Sequence, residues 1–465
     1  MSGNIFCTIA LLVWLPLAVG IFLSFSPLRA LCITALAGFM FMPMADYSFA
    51  FIPYNKTTAI PLGLTLGLFF SDIGTLFSFR PKWFDIPMLM FCSGIFWSGL
   101  VNRFSNYDSA AAGATNLVMY GLPYFLGRIY LRDAASLYRF ALAIFYGGLI
   151  YVPFCIVEMK FGPEWHHWVY GYYAHPDYLQ SVRGGGYRPV VFLQHGLMLG
   201  LYMTAASLCG IWLWKNKLLP KTVFYMPSGF WLVVLVGVTL FCRSTGALLL
   251  MGLGLAVLFG TRRLHSVVLM LLLVAMPVAY ILARTATPWN GENVAELAQK
   301  YLSQERADSL RNRLENERMI VAKALQKPYF GWGPKGAEKI MDPDVPTKIL
   351  ATPDGMWNAA LGQMGWFGLI GSYGVFLLPP LMLLWRFGAK SWSHPMLAAP
   401  EVLAVIGLLF ALDNLMNNMV NPLYYLALGG IATFAVAPTQ GPWPMARSTA
   451  RRYHPTQPLP SRVSG

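Results

Sequence analysis

Long apolar runs recur along this chain from its first residues to about position 437. Residues 5–25, 110–125, 264–282 and 402–412 show little periodic polar face. A helix that is apolar all round lies in lipid or deep inside a large protein. Read this way, spans fall near 5–25, 28–44, 57–77, 84–101, 109–127, 134–157, 189–213, 223–241, 244–260, 264–284, 364–385, 400–418 and 421–437, thirteen in all. Strands of a membrane barrel would alternate over only about ten residues. The expected fold class is therefore an all-α integral membrane protein of about 12–13 transmembrane helices. The first run has no basic leader and no small-residue cleavage site, so it is expected to remain a span.

One long stretch breaks the pattern. Residues 285–355 hold 10 of the 20 acidic and 10 of the 34 basic residues, and are net neutral. Within 294–326, Leu297, Tyr301, Leu310, Leu314, Val321 and Leu325 recur mostly at steps of four and seven between opposite charges. That spacing predicts an amphipathic helix, or a broken pair, lying on the bundle as a lid. Pro328 stops it, and a Gly/Pro turn through Gly331, Trp332 and Gly333 follows. Residues 353–355 turn the chain back to the membrane at Met356. Four parts result: a bundle (1–284) with an outer loop at 158–189, a lid (285–355), final spans (356–437), and a basic tail (438–465) expected to be disordered and cytoplasmic.

Composition agrees. The chain is 56% hydrophobic and only 12% charged, whereas about a quarter of a soluble domain is charged. Outside the lid, 24 basic residues face 10 acidic ones, which accounts for the net +14. They are not spread evenly. Arg29, Arg80, Lys82, Arg128, Arg132, Lys215, Lys217, Lys221, Arg262, Arg263, Arg386 and Lys390 fall in one set of short connections. The alternate set carries mainly Lys56, Arg103 and Arg243. The positive-inside rule places the first set in the cytoplasm, and 158–189 and 285–355 outside. The excess charge is thus a topological signal, and no nucleic-acid partner is expected. The six cysteines lie in or beside apolar runs and form no disulfide framework.

Several groups have chemistry to offer. Arg183 and Arg188 flank Gly184-Gly185-Gly186-Tyr187 at the entrance to the seventh span. Glycines let backbone N–H groups approach a ligand, and guanidinium holds phosphate in a bidentate fork. Arg188 lies seven residues before His195, so both are expected to point along one face of the span. The blander alternative is a flexible loop with interfacial arginines. Arg243 sits on the outer face against the charge trend, which fits either an anionic headgroup or a snorkelling side chain. The aromatic residues of 158–189 fit sugar stacking or an ordinary membrane interface. His166, His167 and His175 lack zinc-ligand spacing. Asp413, Asn417 and Asn421 would form one polar stripe, either a cavity wall or interhelical hydrogen bonding. No Walker A, Rossmann, H-E-x-x-H or G-x-S-x-G pattern occurs.

Several of these pieces together resemble the bacterial O-antigen ligase and polymerase superfamily. They are Arg188-Pro189 with His195, the Ser244-Thr245-Gly246-Ala247 run after Arg243, Glu317-Arg318 followed by Pro328-x-x-Gly331-x-Gly333, and Gly365-x-x-Gly368-Leu369. Tyr124-x-x-Gly127-Arg128 is a weaker piece, and the resemblance covers about 120–437. It implies a metal-independent membrane glycosyltransferase with no cofactor, acting at the outer face of the bacterial inner membrane. Its donor would be a polyprenyl-pyrophosphate-linked oligosaccharide, with membrane lipid and other polysaccharide-assembly proteins as partners. It also implies that an arginine pair, here Arg188 and Arg243, holds the pyrophosphate. Arg183, His195, Arg318, Gly331, Trp332, Gly333 and Asp413 are the further substrate-binding candidates. Ligases of the family place a histidine before the span that follows the long loop. This chain has Asp354 there, as a base or merely a helix cap. That departure favours a polymerase of O-antigen or exopolysaccharide type. The alternatives are a ligase to another acceptor, and a transporter or flippase of lipid-linked sugars.

Overall fold

A computed structural model describes residues 3–437 except 50, 176, 184, 302, 303, 335 and 346. The 438–465 tail lies outside the described residues. The fold is all-α. The chain enters with α1 (Ile5–Ser24), α2 (Pro27–Phe41), α3 (Lys56–Ser71) and the short α4 (Ile73–Leu76). It continues through α5 (Ile86–Val101), α6 (Asn106–Asn116), α7 (Leu122–Tyr130) and α8 (Ala134–Phe161). Next come α9 (Trp165–Tyr170), α10 (Gly196–Lys215), α11 (Ser228–Phe241), α12 (Thr245–Leu264) and α13 (Val268–Ala286). The lid pair α14 (Glu292–Tyr301) and α15 (Gln304–Ala324) precedes α16 (Met356–Arg386), α17 (Ala398–Met416) and α18 (Pro422–Val436). Strands occur among the described residues only as four short hairpin ladders, such as Asp46–Phe49 with Ile52–Asn55.

Eight helices among the described residues are long and apolar enough to cross a membrane, and α2, α11 and α18 are shorter apolar helices. With α3 and the α6–α7 pair, which a π-helical turn at Leu117–Gly121 joins, every expected span is helical. Burial grades the helices. α10 and α17 are almost wholly enclosed, whereas α1, α12 and α13 leave large apolar side chains on the outside. The enclosed helices form the centre, with α10 packed on α8, α12 and α17. All six cysteines are free and buried.

Two expectations about the spans change. The span expected at 189–213 starts only at Gly196, and 189–195 is non-helical. The span expected at 364–385 begins at Met356, and its helix is broken at Gly365, where φ is +63° and ψ −160°. A break inside a membrane helix frees backbone groups that lipid cannot satisfy. Here the turn after α15 supplies the partners. Trp332 N donates to Gly362 O (2.8 Å), Gly333 N to Gln363 O (3.1 Å), Trp366 N to Pro328 O (2.7 Å) and Phe367 N to Tyr329 O (3.2 Å). A Cβ on Gly365 would meet the Pro328 and Tyr329 backbone at 2.4 Å. The lid's exit turn is thus spliced into a membrane helix.

The lid is also tied down at its entry. Arg284, at the end of α13, pairs with Glu317 of α15, and both side chains are under 5% exposed. Arg284 further donates to Leu314 O (2.7 Å) and Trp289 O (3.1 Å), and Tyr280 Oη donates to Glu317 (2.9 Å). Burial raises the Glu317 carboxyl above its usual range, against the pull of Arg284. Removing one partner of a buried pair strands the other charge, at about 3–5 kcal/mol. Glu317→Gln is therefore expected to lower the melting temperature in detergent and to open 285–355 to protease. Combining it with Arg284→Met should recover part of the loss, because the Gln–Met pair strands no charge.

Candidate functional site

The site is built around the chain's re-entry at 189–195. Glu158, near the end of α8 and fully buried, accepts three backbone N–H bonds. Val190 and Val191 each donate to Oε2 at 2.7 Å, and Trp165 donates to Oε1 at 3.0 Å. On the other side Lys56 Nζ donates to Phe192 O at 2.8 Å. These bonds hold Val191 at φ +56°, a conformation unusual for a β-branched residue. Arg188 N donates to Ser181 O at 2.7 Å, so the residue just before this turn is fixed as well.

Arg188 is buried, and its stem lies on the first turn of α10. A Cβ on Gly196 would come within 2.2 Å of Arg188 Cδ. Its guanidinium donates to Arg243 O, at 3.4 Å from Nε and 3.3 Å from Nη2. Arg243 adopts φ +52° just before α12 and is exposed. Its own guanidinium lies against Gly186, where a Cβ would be 2.6 Å from Nη2. Two arginines 55 positions apart in sequence thus meet at the N-terminal ends of α10 and α12. The N-termini of both helices point to this end, and their dipoles add positive potential. The small residues of α10 make the approach possible: Gly200 faces Ser244, and Thr204 Oγ1 donates to Ala247 O at 3.1 Å. The Ser244–Ala247 run is therefore a packing surface.

The other candidates divide. Arg183 lies in a short strand, and its side chain is outside the described residues. His195 does not share a helix face with Arg188, because no helix joins them. It caps α10 instead: Leu197 N donates to Nδ1 (3.0 Å), so Nε2–H donates to Gln180 Oε1 (3.1 Å). Arg318 is exposed and paired with Glu315 at 2.6 Å. Gly331, Trp332 and Gly333 form the splice into α16, and Asn102 Nδ2 donates to Gly331 O at 2.9 Å.

The expected stripe of Asp413, Asn417 and Asn421 is not a helix face, since α17 ends at Met416. Asn417 Nδ2 donates to Asp413 Oδ1 (2.9 Å), and Asn421 caps α18. Arg313 of the lid donates to Met416 O (2.9 Å) and Asn417 (3.2 Å). Asp354 lies in this second group. Gly355 caps α16 without a side-chain cap bond, and Met356 N donates to Asn417 O at 3.0 Å. Asp354 is half-buried there. The arginine pair and the Asp354 group sit on neighbouring elements, since α17 packs on both α10 and α12.

The chain matches no protein-family model and no curated protein.

Glu158 and Lys56 were not candidates from sequence. Each stands alone at the edge of an apolar run, where a charge reads as a span boundary. His166 was weighed only as a metal ligand, for which its spacing is wrong, and it is a structural support instead. Met44 N donates to its Nε2 (3.1 Å), so Nδ1–H donates to Tyr172 O (2.8 Å). Burial, helped by nearby Lys56, pushes His166 down to about 4. A histidine in an unfolded segment binds its proton near 6.5. Opening therefore takes up a proton at any pH between these values, and stability falls with pH across that window. The contribution is complete above about 6.5 and lost as the pH falls toward 4. Hydrogen exchange at Met44 and around 166–172 is expected to quicken, after correction for intrinsic rate, between pH 7 and 5. His166→Gln, which can keep both bonds without titrating, should flatten that dependence.

Proposed function

We propose that this protein is a membrane glycosyltransferase that polymerises polyprenyl-pyrophosphate-linked glycan repeat units at the outer face of the bacterial inner membrane. One observation carries the reading. Arg188 and Arg243 converge at the outer ends of two helices, Arg188 held from below and Arg243 open to the outside. A pyrophosphate leaving group needs its developing negative charge neutralised, and preorganised guanidinium groups do this without reorganisation. The helix termini add to the same potential. The resemblance to the O-antigen ligase and polymerase superfamily points the same way.

In the proposed reaction an acceptor hydroxyl oxygen bonds to the anomeric carbon of the donor's first sugar. The bond from that carbon to the pyrophosphate oxygen breaks, and the leaving group takes the electron pair to the two arginines. The hydroxyl proton passes to a base, for which Asp354 is the candidate. It stands at the same end of the bundle, two residues before Met356, whose N–H donates to Asn417 O beside Asp413. The lid, spliced to α16 and anchored on α13, would hold the donor in place while lipid enters sideways.

Arg188→Ala and Arg243→Ala are each expected to cut transfer from purified lipid-linked repeat units by roughly 100-fold, the scale for losing one electrostatic contact to a developing charge. The protein should still accumulate in the membrane. Lysine at either position should restore little, because an ammonium lacks the planar fork. Asp354→Asn is expected to slow turnover steeply. Normal polymer from the Arg188→Ala protein would overturn the assignment, and translocation without new glycosidic bonds would make it a transporter.

A further inference from the structure

The connection between α10 and α11 has no part in the site described above. It lies at the C-terminal end of α10, whereas the arginine pair lies at the N-terminal end. After Lys215 the chain makes a short hairpin in which Thr222 pairs with Pro227 and Val223 with Met226. Its two-residue turn is Phe224–Tyr225, with φ of +45° and +63°. Positive φ at both central positions is the type I′ form, which favours Asn-Gly because a bulky side chain is crowded there. Two aromatic residues are poorly suited to it. Lys217, in the approach to the hairpin, also has a positive φ, +59°.

The turn is braced from behind. Trp231 Nε1 donates to Val223 O at 2.8 Å, Ser228 N to Lys221 O at 3.1 Å, and Tyr138 Oη to Leu218 O at 2.8 Å. Phe224 stands edge-on to Trp231, with ring centroids 5.9 Å apart. What this frame presents is apolar. Tyr225 is fully exposed, and Phe224 and Met226 are exposed beside it. Phe230 meets Trp231 edge-on at 5.4 Å and is exposed too, as is Val233 one turn further along α11. The tip therefore continues the apolar surface that α11 turns toward lipid.

The charges around the tip have one sign. Lys215, Lys217 and Lys221 are exposed. Arg262 of α12 joins them, donating to Asn216 Oδ1 at 2.8 Å, and the exposed Arg263 follows it. No Asp or Glu occurs between Asp177 and Glu292. Glu401 approaches from α17, but it is buried and accepts from Trp212 Nε1 at 3.0 Å. Apolar rings beside a group of cations match the boundary of a bilayer that carries anionic lipid. The rings enter among the lipids while the ammonium and guanidinium groups meet phosphate. An aromatic belt on regular helices makes the first contact with a relaxed backbone. Here two rings are held in a conformation their side chains disfavour, which points to a specific contact.

We infer that the 215–227 hairpin, with Arg262 and Arg263, is a binding site for anionic phospholipid. Phe224 and Tyr225 enter the bilayer surface, and the lysines and arginines hold the phosphate groups. The site is independent of the glycan chemistry proposed at the other end of α10.

The six native cysteines are buried, so Met226→Cys in the full-length protein can be labelled selectively with bimane. The labelled protein is placed in phosphatidylcholine nanodiscs doped with brominated phosphatidylglycerol or, at the same mole fraction, with brominated phosphatidylcholine. Both lipids are expected to quench the label, phosphatidylglycerol about twofold more strongly because it gathers at the cations. Lys215→Gln, Lys217→Gln and Lys221→Gln together should bring the two to equality without lowering the melting temperature, since these side chains are exposed. Phe224→Asn with Tyr225→Gly, the pair the turn prefers, should keep the fold and reduce quenching by both lipids. The basic tail is the same in every variant, so these differences read the hairpin. Equal quenching by the two lipids before any further substitution would leave an ordinary aromatic belt and overturn the site. Quenching that survives either set of substitutions unchanged would also overturn it. A label reached by aqueous iodide but by neither lipid would overturn it in favour of a water-facing protein contact.

Discussion

The buried Glu158 carboxylate is the interaction on which the entry to α10 depends. It sits where α8 leaves the bundle and gathers the amides of Trp165, Val190 and Val191. Those three amides belong to two separate returns of the chain. Without an acceptor each would be a buried unsatisfied donor, costing roughly 1–3 kcal/mol. With it, the backbone can cross 189–195 without a helix, and Lys56 takes the carbonyl that remains on the other side. The placement of Arg188, the strained Val191 and the start of α10 all follow from this one carboxylate.

The same constraint explains the second irregularity. Backbone groups within a membrane protein must find protein partners, because lipid offers none. At Gly365 they find them in the turn Pro328–Gly333, so a loop outside the bundle becomes part of a span. Ser98 of α5 adds a hydroxyl to the Gln363 carbonyl at 2.6 Å, joining a third element to the splice. The outer segments are therefore built into the bundle at two points, 189–195 and 362–367, where regular helix is interrupted.

Charge is handled in two ways. Arg29 and Arg263 sit in the end turns of α2 and α12, and Lys217 just beyond α10. Others are paired inside: Arg128 with Asp85 at the opposite end of the bundle, and Arg284 with Glu317 beneath the lid. Arg128 also lies over the rings of Phe79 and Phe84, at 5.0 and 4.5 Å from their centroids. The exposed Arg243 lies at the N-terminal end of α12, with its guanidinium against Gly186. The N-terminal segment also reports on sidedness. Asn4 N donates to Tyr170 O at 2.9 Å, so it shares a face with the 158–189 segment.

By itself the sequence determined the all-α membrane class, the position of nearly every helix, and the helical character of the charged stretch, read as one amphipathic helix or a broken pair. These rest on composition and on the near absence of periodicity, both local properties of the chain. It also marked Arg188 and Arg243, because a glycine-rich approach and a charge against the topological trend are visible one residue at a time. Only the tertiary structure decided that these two meet, that 189–195 is not helical, that a helix end separates Asp413 from Asn417 and Asn421, and that Trp332 and Gly333 mend a broken helix. It alone revealed Glu158 and Lys56 as supports. The physical reason is common to all of these. A break in a helix is stable only if distant residues satisfy its freed backbone groups, and a sequence read along its length does not show which distant residue will arrive.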